Sequence, residues 1–343
     1  MAVITVGHVE VQLVDFGEVD IPYWQVDGEA GGPCLFITAA QHGCEVQGVE
    51  VLRRAIAIAS ASLQSGRVVG VPFCNKPALW KRRHHISSGP ERPYGEDEGH
   101  NMNRTWPGKA DGNDTERLSH AIYSALSPQA THHIDIHCWS KFTATTALPR
   151  GDRPDSIGMA RISGLPFASP RPSVGGTRTE PKTPCTIGAC FNDSGRASLT
   201  FELAGQYVIK QREVRRGLRC VLNVMRHLGM LPGAPEGVDE GPVWLDTATV
   251  VDVKCPLDGL FVEADLSTAD WVEEGQPLGH VISDADLSTT PVLAPLSGRL
   301  SNYGCRREHC DVSLAAMHPY ASAGDLVASV AAPADDFATG REV

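Results

Sequence analysis

The sequence predicts an α/β fold, in which a mainly parallel mixed sheet carries helices on both faces and is followed by a small all-β domain. Three observations carry this prediction. Strand-like apolar segments alternate with helix-like segments through the first two thirds of the chain, which is typical of a mainly parallel sheet. The helix-like segments have broad apolar faces suited to packing on a sheet. Beyond Gly233 the segments become short, β-like and rich in glycine, so we predict domains at 1–233 and 234–331 and a tail at 332–343.

Composition narrows the class of protein. The 343 residues are 42% apolar and 21% charged, as in a globular protein with a full core. The formal net charge of −11 argues against a nucleic-acid binder and against a protein that binds anionic membranes. The N-terminal residues lack the features of a signal peptide, and no apolar run reaches transmembrane length. The ten cysteines are scattered, so we expect reduced thiols in a cytoplasmic protein rather than a disulfide framework.

The first half of the chain begins with strands. Residues 1–32 alternate apolar and polar side chains, and the apolar run 34–40 predicts a buried strand. A helix is expected to begin near Glu45, and 68–73, rich in β-branched residues, predicts the next strand. The long segment 75–114 is irregular and rich in glycine, proline and charge, which indicates a functional or disordered loop.

The pattern then returns to alternating elements. Residues 115–126 predict a capped helix, and a strand follows that ends at His137. A second irregular stretch, 149–193, precedes the apolar strand 198–203. An amphipathic helix is predicted at 210–230, after which a linker rich in proline, glycine and acidic residues leads to the β domain.

The β domain contains an internal repeat. The sequence Cys-Pro-Leu-Asp-Gly-Leu at 255–260 recurs as Ala-Pro-Leu-Ser-Gly-Arg-Leu at 294–300, and 272–279 has a looser echo at 320–327. This duplication resembles the barrel-sandwich fold of biotinyl and lipoyl carrier domains. Those carriers present a modified lysine at the hairpin that joins the two halves. The corresponding stretch here, 283–292, contains no lysine, so a swinging-arm carrier is not expected.

A candidate metal site follows the predicted strand 34–40. His42 and Glu45 are three residues apart, so their side chains can converge across a turn or the first turn of a helix. Imidazole and carboxylate are both good zinc ligands, and a catalytic zinc takes three protein ligands. His137 offers the third, because sites in open α/β sheets form beyond the carboxyl ends of strands. The spacing alone is weak evidence, since most His-x-x-Glu pairs are surface residues of helices.

Four motifs give this site a context. In chain order they are His42-Gly43-Cys44-Glu45, Asn101-Met102-Asn103-Arg104-Thr105-Trp106-Pro107-Gly108, Asp135-Ile136-His137 and Phe201-Glu202-Leu203-Ala204-Gly205. Together with the β domain they resemble the succinylglutamate desuccinylase/aspartoacylase branch of the zinc carboxypeptidase superfamily, over essentially the whole chain. The chain departs from the branch's usual pattern at Cys44, Asn101, Met102, Trp106 and Ala204. None of these changes removes a ligand or a titrating group, so they bear on substrate choice.

The resemblance implies the roles of the motif residues. His42, Glu45 and His137 would hold one zinc ion per chain, in a zinc carboxypeptidase-like sheet. Glu202 would be the general base, which takes a proton from water and hands it to the leaving amine. Its apolar neighbours disfavour the alternative of an exposed strand glutamate. Asp135 lies on the same side of the strand as His137 and is either a hydrogen-bond partner of that ligand or a structural acid.

The resemblance also implies substrate contacts. Asn103 and Arg104 match the pair that grips a substrate carboxylate, for which the forked guanidinium of arginine is suited. Arg83, in a basic run of residues, is the candidate for an arginine that stabilises the oxyanion. The alternative for Arg83 is a solvated basic surface.

Two pairs of adjacent histidines are set aside as metal ligands. They are His84 with His85 and His132 with His133. Successive side chains on a strand face opposite ways, so adjacent histidines there do not converge.

Cysteines near histidines are also set aside. Cys305, His309 and Cys310 lack the fourth ligand of a closed structural zinc site. Cys44 and Cys138 flank the proposed ligands, but neither has a dedicated base, so we expect them to be reduced packing residues.

These inferences converge on a zinc hydrolase that removes an acyl group from the nitrogen of a small amino acid bearing a carboxylate. Its expected partner is that small molecule, with neither nucleic acid nor membrane, and the chain could form a homo-oligomer. Two alternatives stay open: a zinc carboxypeptidase that acts on peptides, and a catalytically silent metal-binding protein with the same fold.

Overall fold

Nine strands form one mixed sheet in the first part of the protein. A computed structural model describes residues 3–87, 100–171, 185–306 and 318–333. The strands of this sheet are β1 (Ile4–Leu13), β2 (Gly17–Asp27), β3 (Glu29–Ala39), β4 (Ser65–Val71), β5 (His132–Trp139), β6 (Thr146–Pro149), β7 (Phe167–Ala168), β8 (Ala197–Ala204) and β9 (Val243–Trp244). The helices are α1 (Gln47–Ser62), α2 (Lys76–Lys81), α3 (Asp114–Leu126), α4 (Pro154–Arg161), α5 (Ile187–Asp193) and α6 (Gln211–His227), with a 3-10 turn at Met102–Arg104.

The centre of this sheet is parallel. The strand order is β1-β2-β4-β3-β5-β8-β6-β7-β9. Strands β4, β3, β5 and β8 run parallel to one another, whereas β2 and β6 pair antiparallel with β4 and β8. The carboxyl ends of β3, β5 and β8 therefore meet at one edge. The predicted α/β class with a large mixed sheet is confirmed.

Helices cover both faces of the sheet, as predicted. Along β3, Leu35 and Ile37 pack into a core with residues of α1, α4 and α6. Phe36 faces the opposite side and packs into a second core with residues of α3 and α5. Because successive side chains of a strand alternate, one apolar run supplies both cores.

Several element boundaries differ from the predicted ones. Helix α1 begins at Gln47, so Glu45 lies in the turn before the helix. Helix α3 is capped by Asn113, whose side chain and that of Glu116 form a reciprocal capping box. Helices α2, α4 and α5 lie inside the two stretches expected to be irregular. Each has eight residues or fewer, which is too short for a helical period to stand out in the sequence.

The last part of the described chain forms two four-stranded sheets. Their strands are β10 (Thr249–Lys254), β11 (Gly259–Glu263), β12 (Trp271–Val272), β13 (Pro277–Ser283), β14 (Thr289–Leu293), β15 (Gly298–Arg306), β16 (Tyr320–Ala321) and β17 (Leu326–Ala332). The pairings are antiparallel, and the orders are β10-β17-β15-β12 and β14-β13-β11-β16. An all-β C-terminal part is thus observed, while its closure into a barrel-sandwich stays a prediction.

The sequence repeat corresponds to a structural repeat. Strands β10, β17, β15 and β12 of one sheet occupy the same positions as β14, β13, β11 and β16 of the other. The two strands of each equivalent pair are four apart in number. Cys255 and Ala294 precede the equivalent strands β11 and β15, and both are buried in the core between the sheets. The domain boundaries at 233 and 331 stay predictions, and β9 joins the large sheet from beyond the first of them. Residues 334–343 of the predicted tail lie outside the described residues.

Two further expectations concern cysteines and membranes. No disulfide joins the nine cysteines in the described part of the chain, as expected for reduced thiols. The helices of the described ranges include none that is long and apolar enough to span a bilayer. His309 and Cys310 lie outside the described residues, so the fragment they form with Cys305 is not described.

Candidate active site

Three neighbouring strand ends supply the predicted site residues. Strand β3 ends just before the turn that carries His42 and Glu45, and β5 carries His137 near its own end. In the β5–β8 pair, His137 is the register partner of Glu202, so both side chains project from the same face. Parallel pairing thus brings residues from distant parts of the sequence to one edge of the sheet.

The turn after β3 is fixed by a tight contact. A Cβ atom on Gly43 would lie 2.2 Å from the carbonyl oxygen of Ala78 and 2.4 Å from that of Arg83, so only glycine fits. The Gly43 N–H donates to the carbonyl of His84 at 3.2 Å. The turn therefore packs directly on α2 and on the segment that follows it, and these segments share one site.

His42, Glu45 and His137 come together in this site. One ligand atom of each lies within 4.8 Å of the others, and all three residues are buried. Nδ1 of His137 lies 2.9 Å from Oε2 of Glu45, and the backbone N–H of Cys138 donates to the same oxygen at 2.9 Å. Among the described residues, none hydrogen-bonds Nδ1 of His42, although this atom is buried.

This donor set fits a zinc ion. Two imidazoles and a carboxylate are a known three-ligand set of catalytic zinc, and an unpartnered buried nitrogen is costly unless something binds it. Burial, with the nearby His84 and His137 rings, holds the pKa of His42 well below its ordinary range, so its ring is neutral, as a ligand must be. Burial opposes a charge on His137 as well. The carboxylates of Asp135 and Glu45 outweigh it and raise the pKa of His137 well above its ordinary range, so a metal ion bound at Nδ1 would have to displace the proton that otherwise faces Glu45.

Asp135 holds His137 from behind. Its Oδ2 accepts from Nε2 of His137 at 2.9 Å, which leaves Nδ1 to face Glu45 and the ligand cluster. Thr38 donates to Asp135 at 2.7 Å, and the Gln41 amide donates to its two oxygens at 2.8 and 2.7 Å. Burial would raise the pKa of Asp135, but the charge and hydrogen bond of His137, with His133 and the Thr38 hydroxyl, lower it to about 2. Of the two roles considered for Asp135, the geometry matches the hydrogen-bond partner of His137, the proposed ligand.

Sequence reasoning missed the outer part of this network. The indole N–H of Trp106 donates to Oε1 of Gln41 at 2.8 Å, and the other end of the Gln41 amide binds Asp135. Gln41 directly precedes His42, so its position next to a candidate ligand was the available signal. Trp106 lies in the second motif, where it was noted only as a departure from the usual phenylalanine.

Glu202 has the environment of a proton carrier. It is partly buried on β8 beside His137. Burial, reinforced by the charges of Glu45 and Asp135, raises the pKa of Glu202 to about 8, against the opposing effect of His137 and Arg171. Arg171 also lies over the Trp139 ring, with its guanidinium carbon 6.0 Å from the ring centroid. No sequence signal marked Arg171, which lies in the second irregular stretch.

Asn103 and Arg104 lie in the 3-10 turn of the second motif. Asn101 caps this turn by accepting from the Asn103 N–H at 3.0 Å. Arg104 is exposed, with one guanidinium nitrogen 2.7 Å from the Asn103 carbonyl oxygen. Its positive charge contributes to the lowered pKa of His42, which places it within electrostatic reach of the ligand cluster. No described residue donates to the buried Oδ1 of Asn103.

The expectation that His84 and His85 diverge is wrong. They lie in a bend after α2, where Arg82 adopts a left-handed conformation at φ 54°, and not on a strand. The His84 ring stacks on His42 with centroids 4.0 Å apart, and the His85 ring lies 5.1 Å from His42. Arg83 lies between them in sequence. The positive charge of Arg83 acts to lower the pKa of Tyr207, against the larger effect of burial. The proposed role of Arg83 in stabilising the oxyanion stays a prediction.

The other histidine pair follows strand geometry. His133 points into the core, with Nε2 2.9 Å from Thr38 Oγ1 and Nδ1 2.9 Å from Ser198 Oγ. His132 contacts Thr131 at 2.9 Å and is half-buried on the other side of β5. These two side chains do not converge, as predicted.

The C-terminal part contacts the loop that follows β5. The Tyr303 N–H donates to the carbonyl of Phe142 at 2.8 Å, and Thr143 donates to Asn302 at 3.1 Å. The Tyr303 hydroxyl donates to the carbonyl of Leu278 at 2.6 Å inside the β core. Tyr303 is therefore a structural residue, and its backbone rather than its side chain joins the loop next to the site.

Comparison with known proteins gives the site a family. A model of the succinylglutamate desuccinylase/aspartoacylase catalytic domain matches residues 31–228, more than half of the chain. The chain belongs to this family. The match covers most of β3, all of β5 and β8, and the four motifs, so the family assignment rests on the same segments that build the site.

Individual proteins resemble the chain at low sequence identity. The chain is 25% identical over 288 residues to N-alpha-acetyl-L-2,4-diaminobutyric acid deacetylase of Halomonas elongata, covering 81% of this chain and 78% of that protein. A solved succinylglutamate desuccinylase/aspartoacylase from Rhodobacter sphaeroides has a TM-score of 0.65 at 22% identity, covering 97% and 96% of the two chains. A product-bound ectoine utilization protein from Ruegeria pomeroyi has a TM-score of 0.64 at 22% identity, covering 96% and 95%. These solved structures share the fold with this protein across nearly its whole length.

Proposed function

We propose that this protein is a zinc-dependent amidohydrolase that removes an acyl group from the nitrogen of a small amino acid bearing a carboxylate. One observation carries the proposal. His42, Glu45 and His137 form a buried three-ligand set, and Glu202 lies beside it on the neighbouring strand. A zinc ion held by these three residues supplies a Lewis acid for the scissile carbonyl and lowers the pKa of water.

The chain's own residues manage the protons. Glu202 has a pKa raised to about 8, so near neutral pH its carboxyl group can both take and release a proton. It accepts the proton of the attacking water and then delivers it to the departing amine. Asp135 keeps Nε2 of His137 protonated, and so directs Nδ1 of that ring to the ligand cluster.

Other residues orient the substrate. Arg104 is the candidate for a forked contact to the substrate carboxylate, with Asn103 beside it. Arg83 is proposed to stabilise the oxyanion. The β part, at 234–331, is proposed to narrow access to the active site of the domain at 1–233. The hydrogen bonds of Tyr303 and Asn302 to the loop after β5 support this.

The relative from Halomonas elongata suggests the acyl group. Its name states that it deacetylates N-alpha-acetyl-L-2,4-diaminobutyric acid. We therefore propose N-acetylated amino acids, including those with a second amine, as the first substrates to test. A carboxypeptidase acting on peptides is the alternative within the same chemistry. A silent metal-binding protein is the second alternative, which the joint presence of three ligands and Glu202 disfavours.

A substrate panel tests the proposal. Amine release is measured from N-acetyl, N-succinyl and N-formyl amino acids, from their carboxamides, and from short peptides, with wild type and Arg104→Ala. The proposal expects release from a free-carboxylate N-acyl amino acid and a weakened KM or kcat in the variant. Arg104→Lys should rescue poorly, because a point charge cannot replace a bidentate fork. Equal rates on carboxamides would remove the role of Arg104, and release from peptides alone would favour the carboxypeptidase.

A further inference from the structure

A second cluster of metal-binding side chains lies against the first. Sγ of Cys44 is 3.1 Å from Nδ1 of His84, and the same nitrogen is 3.8 Å from Oε1 of Glu45. The three ligand atoms all lie within 4.8 Å of one another. Glu45 thus has one oxygen, Oε2, beside His137 and the other, Oε1, beside His84.

Hydrogen bonds hold the segments that carry this cluster in place. The N–H of Gly43 donates to the carbonyl of His84, which ties the turn carrying Cys44 to the bend carrying His84. The Tyr207 N–H donates to the carbonyl of Cys44 at 2.7 Å, and its hydroxyl interacts with the Cys44 thiol. Cys44 and Glu45 are buried, while the His84 side chain is 13% exposed and leaves a route to solvent.

We propose that Cys44, Glu45 and His84 hold a second metal ion, with the Glu45 carboxylate bridging it to the ion held by His42 and His137. The second site depends on the proposed function in one respect, which is that both ions would share the Glu45 carboxylate. A thiolate, an imidazole and a carboxylate select zinc or a similar transition metal over magnesium or calcium. Binding would release the thiol proton of Cys44 to solvent, because a coordinating thiol is deprotonated.

Two-metal sites are a recognised arrangement in hydrolases. Ions held about 3.5–4 Å apart act together on the attacking and leaving groups. Cys44 stands where this family usually has aspartate or asparagine, so the second site would be particular to chains with this substitution. The competing explanation is that Cys44 and His84 only pack against each other and support the His42 ring.

Cobalt titration tests the proposal directly. Chelator-treated full-length protein receives Co²⁺ in steps while its near-ultraviolet and visible absorption are recorded, and bound metal is counted after gel filtration. Thiolate ligation of cobalt gives a near-ultraviolet charge-transfer band that nitrogen and oxygen ligands do not give. Wild type should bind two ions per chain and show this band. Cys44→Ser and His84→Gln should each bind one ion, and Cys44→Ser should lack the band.

Matched variants separate the outcomes. Cys138→Ser removes the thiol next to His137, whose Sγ faces Gln47 at 3.9 Å, and should keep both ions and the band. His137→Ala should lose the ion of the first site. One ion and no thiolate band in wild type, with metal loss in His137→Ala, would overturn the second site and leave the proposed function intact. Metal loss in Cys44→Ser together with full retention in His137→Ala would instead overturn the first site.

Discussion

Glu202 can be separated from the metal ligands by a single substitution. Glu202→Gln keeps the size of the side chain and removes the proton carrier, so turnover should fall about 10²-fold or more, the usual share of general acid–base catalysis. Metal content and folding should stay near wild type, because the proposed ligand set of His42, Glu45 and His137 is complete without Glu202. Amine release and metal analysis on the same preparations measure this.

The control for this substitution is Glu50→Gln on the surface of α1. Glu50 is paired with Arg53 at 2.6 Å and with Arg54 at 2.7 Å and belongs to none of the candidate ligand groups, so this variant should keep full activity. Loss of metal in Glu202→Gln would show that Glu202 is a ligand. Near-normal activity would show that it carries no proton in the reaction.

Asp135 is proposed to act through His137, to which it is hydrogen-bonded, and its substitution should change zinc affinity. Asp135→Asn removes the negative charge that orients the ring, and zinc affinity should weaken about 10–100-fold, as found for outer partners of metal ligands. Competition with a chromophoric chelator measures the affinity. Asp155→Asn, on the exposed start of α4, serves as the matched control and should leave affinity unchanged. Unaltered affinity in Asp135→Asn would mean that Asp135 is a structural acid.

His133 gives the fold a pH dependence. Burial lowers its pKa to about 4, from an ordinary value near 6.5. Between these values the unfolded chain binds a proton that the folded chain does not, so stability is present above about 6.5 and falls as the pH drops toward 4. The loss amounts to roughly 3 kcal/mol. His133→Gln should flatten this part of the profile in urea unfolding at pH 7, 6 and 5, and an unchanged slope would contradict the assignment.

The candidate site residues that could be predicted from sequence are those with a reactive side chain at or just beyond the end of a predicted strand. His42, Glu45, His137 and Glu202 are reactive side chains at or just beyond strand ends, and parallel pairing brings strand ends together. Loops bring His84, His85 and Arg171 toward the site, and the conformation of a loop produces no periodic pattern in the sequence. A strand rule applied to His84 and His85 failed because the bend after α2 turns both rings the same way.

Among the elements, the turn between β3 and α1 is the most constrained. Gly43→Ala would place a Cβ against two carbonyl oxygens at 2.2 and 2.4 Å, so the turn must shift away from the segment after α2. Metal affinity and activity should drop, while the helices and the sheet remain by circular dichroism. Gly158→Ala in α4 is the control, because nothing lies within 4 Å of its Cβ and alanine favours a helix by about 0.5–1 kcal/mol. A Gly43→Ala variant with wild-type metal affinity would show that the turn is not fixed by this contact.

Long periodic elements were also the predictable ones. The helix expected at 210–230 is observed as α6, Gln211–His227, and the strand 198–203 lies within β8. The short elements α2, α4 and β7 were missed, because two to eight residues carry too little pattern to distinguish them from loops. Glu45 was placed at the start of a helix although it lies in the preceding turn, since both positions allow the same convergence with His42.

At the scale of the whole molecule, the nine-stranded sheet provides the site and the duplicated β part borders it. The repeat was visible in sequence because a Pro-Leu-x-Gly turn recurs at the start of two equivalent strands, β11 and β15. The contact between β15 and the loop after β5 could not be predicted, because neither segment has a sequence pattern that indicates which other segment it contacts. We expect substrate choice to depend on such contacts and on the loops, so the motifs indicate a reaction more than a substrate.

The most direct test of the account is the rate of amine release as zinc is returned to metal-free protein. Chelator-treated enzyme should be inactive on its N-acyl amino acid substrate, and activity should return as zinc is added. The same titration of His137→Ala should recover little or no activity, because one of the three proposed ligands is missing. Full activity in the metal-free protein, or full zinc-dependent recovery in His137→Ala, would contradict the central claim that His42, Glu45 and His137 hold the catalytic metal.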